Sequence, residues 1–194
     1  MSLEGKTAVV IGASGQHNFG VAIAKALANE GAKVIVSGRR QAPLETLASE
    51  IGGIAIPCDM GDEASIQSLF QSASEQAGPI HIAINSAGAL AGNPIAALTR
   101  EAIQPTLDVS FIGALLMFKY AAEVMSEGGS IMTISSLTAR LPGPGLAVYA
   151  AARAGIDYAI KIAAVEYGEQ NIRFNSIAAG LIRTDMTDAI FEHS

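Results

Sequence analysis

Tryptophan is absent from the 194-residue sequence, and cysteine occurs once, at Cys58. A single cysteine excludes an intramolecular disulfide and a cysteine-based metal cluster, so we expect Cys58 to be a buried structural residue. Histidine is also scarce, and His17, His81 and His193 lie far apart without the spacing to a carboxylate that metal ligands show. The sequence therefore predicts no metal site.

Charged residues make up only 15% of the chain, with a net charge of −6 and a pI near 5.0. Binding along a nucleic acid backbone requires a basic surface, so nucleic acid is not an expected partner. The first residues, Met1 to Lys6, lack the basic flank and apolar run of a secretory signal, and no continuous apolar stretch reaches the roughly 18 residues of a membrane span. We expect a cytoplasmic protein with no membrane partner.

Half of the residues are hydrophobic, and they form short β-branched runs that alternate with longer segments of helical periodicity. This alternation is typical of βαβ units on a parallel sheet that is buried on both faces. The predicted strands are Thr7–Ile11, Lys33–Ser37, Ile54–Pro57, Ile80–Asn85, Ser130–Ser135 and Ile172–Ala178. The predicted helices are Gly20–Asn29, Leu44–Ile51, Asp62–Gln76, Glu101–Met125 and Tyr149–Tyr167. The pattern predicts that residues 1–194 form a single Rossmann-type α/β domain, a doubly wound parallel sheet in a three-layer α/β/α sandwich.

Gly12, Gly15 and Gly20 lie between the first predicted strand and the first helix, where backbone amides can approach a pyrophosphate. Glycines in such a turn can also be required by packing alone. The residues at the end of the second predicted strand are therefore needed to identify a cofactor site. NAD-binding folds place an acidic residue near the end of this strand, for the ribose hydroxyls. Here the strand ends in Ser37-Gly38-Arg39-Arg40. An arginine pair suits the 2′-phosphate of NADP(H), so NADP(H) is expected and NAD(H) is the less favoured cofactor; a solvated surface pair is the alternative.

Ser136 follows the fifth predicted strand, and Tyr149 stands thirteen residues later, at the start of a helix that also carries Arg153 one turn on. A tyrosine hydroxyl becomes an acid or base near neutral pH only where a close cation stabilises its anion, and Arg153 can supply that charge. Ser136 can bind a substrate carbonyl beside it. These three residues predict general acid catalysis at a carbonyl group.

Further residues and segments of the chain match the sequence pattern of a known protein family. They are Asp59, placed to accept from an adenine amino group, and Asn85-Ser86-Ala87-Gly88, Ile134-Ser135-Ser136, Tyr149-Ala150-Ala151-Ala152-Arg153 and the run from Ile172 to Gly180. With the glycine turn, they make nearly the whole chain resemble the short-chain dehydrogenase/reductase family. The resemblance implies that Tyr149 gives or takes a proton, that Ser136 orients a carbonyl, and that hydride passes reversibly between a nicotinamide and an alcohol or ketone carbon. The predicted cofactor-binding residues are Gly12, Ser14, Gly15, Asn18, Phe19, Gly20, Arg39, Arg40, Asp59, Met60, Asn85, Ala87, Gly88, Tyr149, Arg153, Gly180, Ile182 and Thr184.

Three features depart from that pattern. Gly12 and Gly20 lie eight positions apart, an enlarged turn like that of the enoyl-thioester reductases of the same superfamily. Arg153 replaces the usual catalytic lysine, and Ser110 replaces the asparagine that completes the proton relay. Because an arginine does not release a proton near neutral pH, these replacements predict reduced activity.

The resemblance also implies a small-molecule carbonyl or alcohol substrate and a homo-oligomer, either a tetramer or a dimer. Family members usually continue past the position of Thr184 with a substrate-covering helical segment and a further edge strand, which we expect these 194 residues to lack. Three functions remain open. The spacing of Ser136, Tyr149 and residue 153 favours an NADP(H)-dependent carbonyl reductase or alcohol dehydrogenase. Ser110 and Arg153 suggest a catalytically weak, regulatory dinucleotide-binding protein, and the enlarged turn suggests an enoyl-thioester reductase.

Overall fold

A computed structural model describes residues 2–90 and 92–188, and His193 lies outside them. Six strands form one parallel sheet in the order β3-β2-β1-β4-β5-β6. The strands are β1 (Thr7–Ile11), β2 (Lys33–Gly38), β3 (Ile54–Pro57), β4 (Ile82–Asn85), β5 (Gly129–Ser136) and β6 (Ile172–Ala179). This order confirms the Rossmann-type α/β fold. All six predicted strands are present, and their ends differ from the predicted ones by at most two residues.

The helices between the strands are α1 (Phe19–Asn29), α2 (Gln41–Ile51), α3 (Glu63–Ala77), α4 (Arg100–Leu107), α5 (Gly113–Glu123) and α6 (Ala147–Glu166). Short 3₁₀ turns span Ile95–Ala97, Leu137–Ala139 and Gly168–Gln170. The single helix predicted over Glu101–Met125 is wrong in detail, because a π turn at Asp108–Ile112 separates α4 from α5. The side chain of Ser110 lies in that turn and is bonded to the backbone after β4. Because a π turn is wider than an α-helical turn, it directs the Ser110 side chain to the loop after β4. The periodicity of the sequence does not indicate this turn.

The two faces of the sheet are covered by different helices. Val9, Ile11 and Ile35 point to one face and pack in a cluster with apolar residues of α3, α5 and α6. Their neighbours along the strands point to the other face, in a cluster with α1 and α2. This alternation is that of a strand with both faces buried, and it confirms the three predicted layers.

The helical run Arg100–Glu123 is long and apolar enough to meet the length and composition criteria for a membrane span. The expectation that no stretch would do so is therefore wrong on this measure. Met117, Phe118 and Ala121 of the run belong to the core beside the sheet. A core helix of an α/β protein meets the same criteria, because its inner face is apolar for packing.

The crossover in strand order lies between β1 and β4, which are neighbours although two strands separate them in sequence. Ile11 at the end of β1 is in register with Asn85 at the end of β4. The carbonyl of Ile11 accepts hydrogen bonds from Ser86, at 3.0 Å from its backbone nitrogen and 2.7 Å from its Oγ. The loop after β1 and the loop after β4 are thus held side by side at the switch point, where open α/β sheets bind ligands.

Candidate active site

A cavity of about 850 Å³ opens along the carboxyl ends of the strands. Loops after all six strands contribute to its wall, as the fold requires of a binding crevice. The predicted site residues in the wall are Gly12, Ser14, Gly15, Asn18, Phe19, Arg39, Arg40, Asp59, Met60, Ala87, Gly88, Ser136, Tyr149, Arg153, Gly180, Ile182 and Thr184. Gly20, Asn85 and Ser110 are buried behind the wall.

The glycine turn after β1 leads into the N-terminus of α1. Gly12 has φ +88°, and a Cβ there would lie 2.7 Å from the backbone nitrogen of Ala87, so only glycine fits. The Asn18 side chain caps α1 by accepting from the backbone N–H of Val21 at 2.9 Å. The N–H groups of Phe19 and Gly20 have no acceptor in the described part of the chain. These free donors form an anion-binding helix terminus on the cavity.

The end of β2 holds two exposed arginines on the cavity wall. Arg40 donates from Nη2 to the carbonyl of Ser14 in the glycine turn, and neither Arg39 nor Arg40 is in an ion pair within the described ranges. A Cβ at Gly38 would lie 2.7 Å from the Oγ of Ser14. A larger side chain at this position would have to displace the Ser14 hydroxyl, and the two guanidinium groups are available to a phosphate.

The loops after β3 and β4 form the middle of the wall. The Oδ1 of Asp59 accepts from the N–H of Gly61, and the Oδ1 of Asn85 accepts from the N–H of Ala87, both at 2.9 Å. Asn85 thus shapes the loop from behind, rather than lining the cavity as predicted. Cys58 is buried as expected, and burial raises the pKa of its thiol to about 11. The thiol therefore stays protonated near neutral pH and is a poor nucleophile.

Ser136 and Tyr149 both line the cavity, at the end of β5 and in the first turn of α6. The Oγ of Ser136 accepts from the backbone N–H of Thr138 at 3.2 Å and from its Oγ1 at 2.9 Å. These bonds leave the hydroxyl proton of Ser136 available to a carbonyl oxygen. The Tyr149 hydroxyl makes no hydrogen bond within residues 2–90 and 92–188, so it too is available to a bound substrate.

Arg153 is buried behind Tyr149, with only 3% of its surface exposed. Its guanidinium carbon lies 5.1 Å from the centroid of the Tyr149 ring, and Nη2 donates to the carbonyl of Ala87 at 3.1 Å. The other two nitrogens, Nε and Nη1, have no partner in the described part of the chain. A buried cation with unpaired donors is unfavourable, so the site is arranged to receive acceptor atoms.

Ser110 is not in the cavity wall. Its Oγ accepts from the backbone N–H of Ala89 at 3.1 Å and lies 3.3 Å from the carbonyl of the same residue, to which it donates. The hydroxyl is completely buried and both of its hydrogen-bonding roles are used. Ser110 therefore anchors the loop after β4, and a role of this position in a proton relay stays a prediction. Gly20 packs against the glycine turn, since a Cβ there would lie 2.5 Å from the Gly12 carbonyl oxygen, and its backbone N–H is one of the free donors of α1.

Apolar wall residues lie in the segment 137–146, where a substrate pocket is expected between Ser136 and Tyr149: Leu137, Leu141, Pro142 and Leu146. Leu90 after β4 and Met186 after β6 add further apolar side chains to the wall. Asp185 was not among the predicted site residues, and its carboxylate contacts the glycine turn. No local pattern indicates this contact, because it joins segments that are distant in sequence.

The residues present fit a dinucleotide. Glycine at position 12 lets backbone approach backbone, α1 presents free N–H groups, and the unpaired donors of Arg153 match the hydroxyl acceptors of a ribose. The two arginines after β2 add positive charge at one end of the cavity. These observations assign the cavity wall to a nicotinamide dinucleotide.

Comparison with known proteins gives the same assignment. A family model described as enoyl-(acyl carrier protein) reductase matches residues 12–194. The chain is 34% identical to the NADH-dependent enoyl-[acyl-carrier-protein] reductase of Bacillus subtilis, over 94% of this chain and 75% of that protein. It is 33% identical to carbonyl reductase family member 4 of Xenopus laevis, over 93% of this chain and 78% of that protein.

Solved structures agree with the fold. A putative short-chain alcohol dehydrogenase from Sinorhizobium meliloti superposes with a TM-score of 0.91 at 31% identity, covering 98% of this chain and 78% of that one. A short chain dehydrogenase from Burkholderia cenocepacia in complex with NADP superposes with a TM-score of 0.89 at 30% identity, covering 96% of this chain and 78% of that one. The chain belongs to the short-chain dehydrogenase/reductase family of NAD(P)-dependent oxidoreductases.

Proposed function

We propose that this protein is an NADP(H)-dependent oxidoreductase that interconverts a ketone and an alcohol. The observation that carries the proposal is that Ser136 and Tyr149 line one cavity with the glycine turn and the arginines after β2. The nicotinamide supplies or accepts the hydride when the cofactor is bound. The side chains of this chain bind the cofactor, hold the carbonyl and move the proton.

The preference for NADP(H) rests on the end of β2. Arg39 and Arg40 line the cavity there, glycine at position 38 supplies no carboxylate, and the Ser14 carbonyl accepts a hydrogen bond from Arg40. A 2′-phosphate bound by these residues gains charge-assisted hydrogen bonds, whereas a ribose hydroxyl finds no acidic acceptor. We therefore assign the 2′-phosphate to Ser14, Arg39 and Arg40.

The proton step is assigned to Tyr149, whose hydroxyl has no competing hydrogen-bond partner in the described part of the chain. Ser136 donates to the substrate oxygen and holds it near that hydroxyl. Arg153 contacts the Tyr149 ring and the Ala87 carbonyl and leaves Nε and Nη1 to the cofactor ribose. Because Arg153 does not release a proton, the proton must leave Tyr149 by another path.

Enoyl-thioester reduction is a second candidate, and the enlarged glycine turn supports it. The family model that matches bears that description, and one relative at 34% identity is an enzyme of that name. The placement of Ser136 at the end of β5, next to Tyr149 on the cavity, instead supports a carbonyl substrate. The apolar wall formed by residues such as Leu141 and Leu146 fits the apolar part of either substrate.

Cofactor titration and a substrate panel test the proposal. NADPH should bind more tightly than NADH, by about 1–3 kcal/mol if one arginine meets the phosphate away from water. The double variant Arg39→Gln/Arg40→Gln should remove most of this difference. Arg173→Gln is a control that removes one positive charge away from the end of β2, since Arg173 lies at the start of β6, at the edge of the sheet. Equal affinities for the two cofactors in the wild-type protein would refute the assignment.

The substrate panel separates the remaining functions. We expect NADPH oxidation with apolar ketones and little with enoyl thioesters. The reverse preference would favour the second candidate. Binding of the cofactor without turnover of any tested substrate would support a catalytically weak dinucleotide-binding protein, the hypothesis that Arg153 and Ser110 suggest.

We also propose that the protein forms a homo-oligomer through α5, α6 and the π turn between α4 and α5. Exposed apolar side chains lie on these neighbouring elements, where a monomer would leave them in water: Ile112, Leu115, Tyr158, Ile162 and Val165. Light scattering after gel filtration should give a multiple of 19.9 kDa. The variant Ile162→Glu should shift the protein towards monomer, and a monomeric wild-type protein would refute the proposal.

A further inference from the structure

The carboxylate of Asp185 is bonded to the glycine turn from the far end of the chain. Its Oδ2 accepts from the backbone N–H of Gln16 at 2.8 Å, and its Oδ1 accepts from the N–H of His17 at 3.0 Å. In the other direction, the N–H of Asp185 donates to the carbonyl of His17 at 3.0 Å. Three hydrogen bonds thus join two segments that are about 170 residues apart in sequence.

The bonded residues are those by which this turn is enlarged. Gln16 and His17 lie between Gly15 and the helix cap Asn18, in the part of the turn that extends it. The carboxylate does not take the donors at the N-terminus of α1, since the N–H groups of Phe19 and Gly20 have no acceptor among the described residues. Asp185 therefore uses the added part of the turn and leaves the anion site of α1 open.

The segment Leu181–Asp188 is held together by hydrogen bonds between its own residues. The side chain of Thr187 accepts from the N–H of Thr184 at 2.9 Å and donates to the carbonyl of Ile182 at 2.6 Å. Ile182 and Thr184 both line the cavity, as do Tyr149 and Gly180. A bond that holds Asp185 therefore also fixes these two residues relative to the glycine turn.

We propose that Asp185 is a positioning residue that clasps the segment Leu181–Asp188 to the enlarged glycine turn and thereby slows release of the dinucleotide. The clasp connects the turn, which faces the pyrophosphate, to the segment that carries Ile182 and Thr184. Both walls of the cofactor cleft are then in place before the cofactor enters, which lowers the cost of ordering them on binding. The inference rests on the proposed function, because it assumes that the cleft holds a dinucleotide.

The test compares Asp185→Asn with Asp188→Asn. The first replaces a carboxylate oxygen with an amide nitrogen that cannot accept from the turn, and the second removes the same charge from the same segment without a contact to the turn. We expect the dissociation constant for NADPH to rise about tenfold in Asp185→Asn, mainly through the dissociation rate, and to change less than about twofold in Asp188→Asn. The melting temperatures of the two unliganded variants should be alike.

Hydrogen exchange provides a readout that does not depend on the cofactor. The peptide that covers residues 12–20 should exchange faster in Asp185→Asn than in the wild-type protein, since the amide keeps one oxygen and only one of the two N–H groups, of Gln16 or of His17, retains an acceptor. Asp188→Asn should leave this peptide unchanged. Unchanged exchange in Asp185→Asn would overturn the proposal.

The binding results also distinguish a carboxylate that holds the two segments of the cofactor cleft together from one that repels the cofactor. Tighter NADPH binding in Asp185→Asn would overturn the proposal, because it would mean that the carboxylate repels the pyrophosphate. Equal binding in the two variants would overturn it as well. If the wild-type protein binds neither NADPH nor NADH, the proposed function fails, and the exchange result alone decides whether the two segments are clasped.

Discussion

Replacing the buried Arg153 with methionine should stabilise the protein without cofactor and weaken cofactor binding. The guanidinium is 97% buried, yet it makes one hydrogen bond, to the carbonyl of Ala87, and leaves Nε and Nη1 unpaired in the described structure. Methionine has a similar length, no polar group and enough flexibility to fill the same space. Residues that serve a ligand often lower the stability of the free protein in this way.

The size of the effect follows from the unpaired groups. Two buried donors without partners cost about 1–3 kcal/mol each, and the lost bond from a charged donor offsets about 1.5–3 kcal/mol. The net gain is about 2 kcal/mol, which for a chain of this length raises the melting temperature by about 4–8 °C. Thermal unfolding followed by circular dichroism, with no cofactor present, measures it.

An exposed arginine, Arg173, provides the control for this prediction. Arg173→Met removes an exposed arginine of β6 and should change stability by less than about 0.5 kcal/mol. NADPH should bind at least about tenfold more weakly to Arg153→Met, because the ribose loses its charged donors. A melting temperature of Arg153→Met at or below that of the wild-type protein would refute the conclusion that the guanidinium is a net cost in the free protein.

Two further predictions concern the proton donor and the buried thiol. Tyr149→Phe should lower kcat by roughly 10²-fold or more while NADPH affinity stays nearly constant, since the hydroxyl acts on the substrate; near wild-type kcat would assign the acid elsewhere. Burial raises the pKa of the Cys58 thiol from 9.0 to about 11, so the unfolded chain loses this proton first and stability should fall as the pH rises from 9 towards 11. Cys58→Ala should flatten that decline in urea unfolding measured across this range, and an unchanged pH dependence would show that the thiol does not contribute.

Local pattern was sufficient for the sheet and for much of the site. The β-branched runs of β1 and β2 are short and bounded by glycines, and a run that is buried on both faces has few structures other than a parallel strand. Because the carboxyl ends of parallel strands meet at one edge, the glycine turn, Arg39, Ser136 and Tyr149 could be placed in one crevice from their positions after strands. The chemical role proposed for each of these residues depends on its side-chain type, which can be read directly from the sequence.

Only the tertiary structure decided where side chains point and which distant backbone atoms they meet. Ser110 has the position of a relay residue in sequence, but the π turn directs its hydroxyl to Ala89. Arg153 follows Tyr149 by one helical turn, but its contacts are with the ring and with Ala87 after β4. Asp185 meets the glycine turn across about 170 residues. Such contacts depend on packing between elements and on side-chain rotamers, and neither is encoded in the periodicity of a single segment.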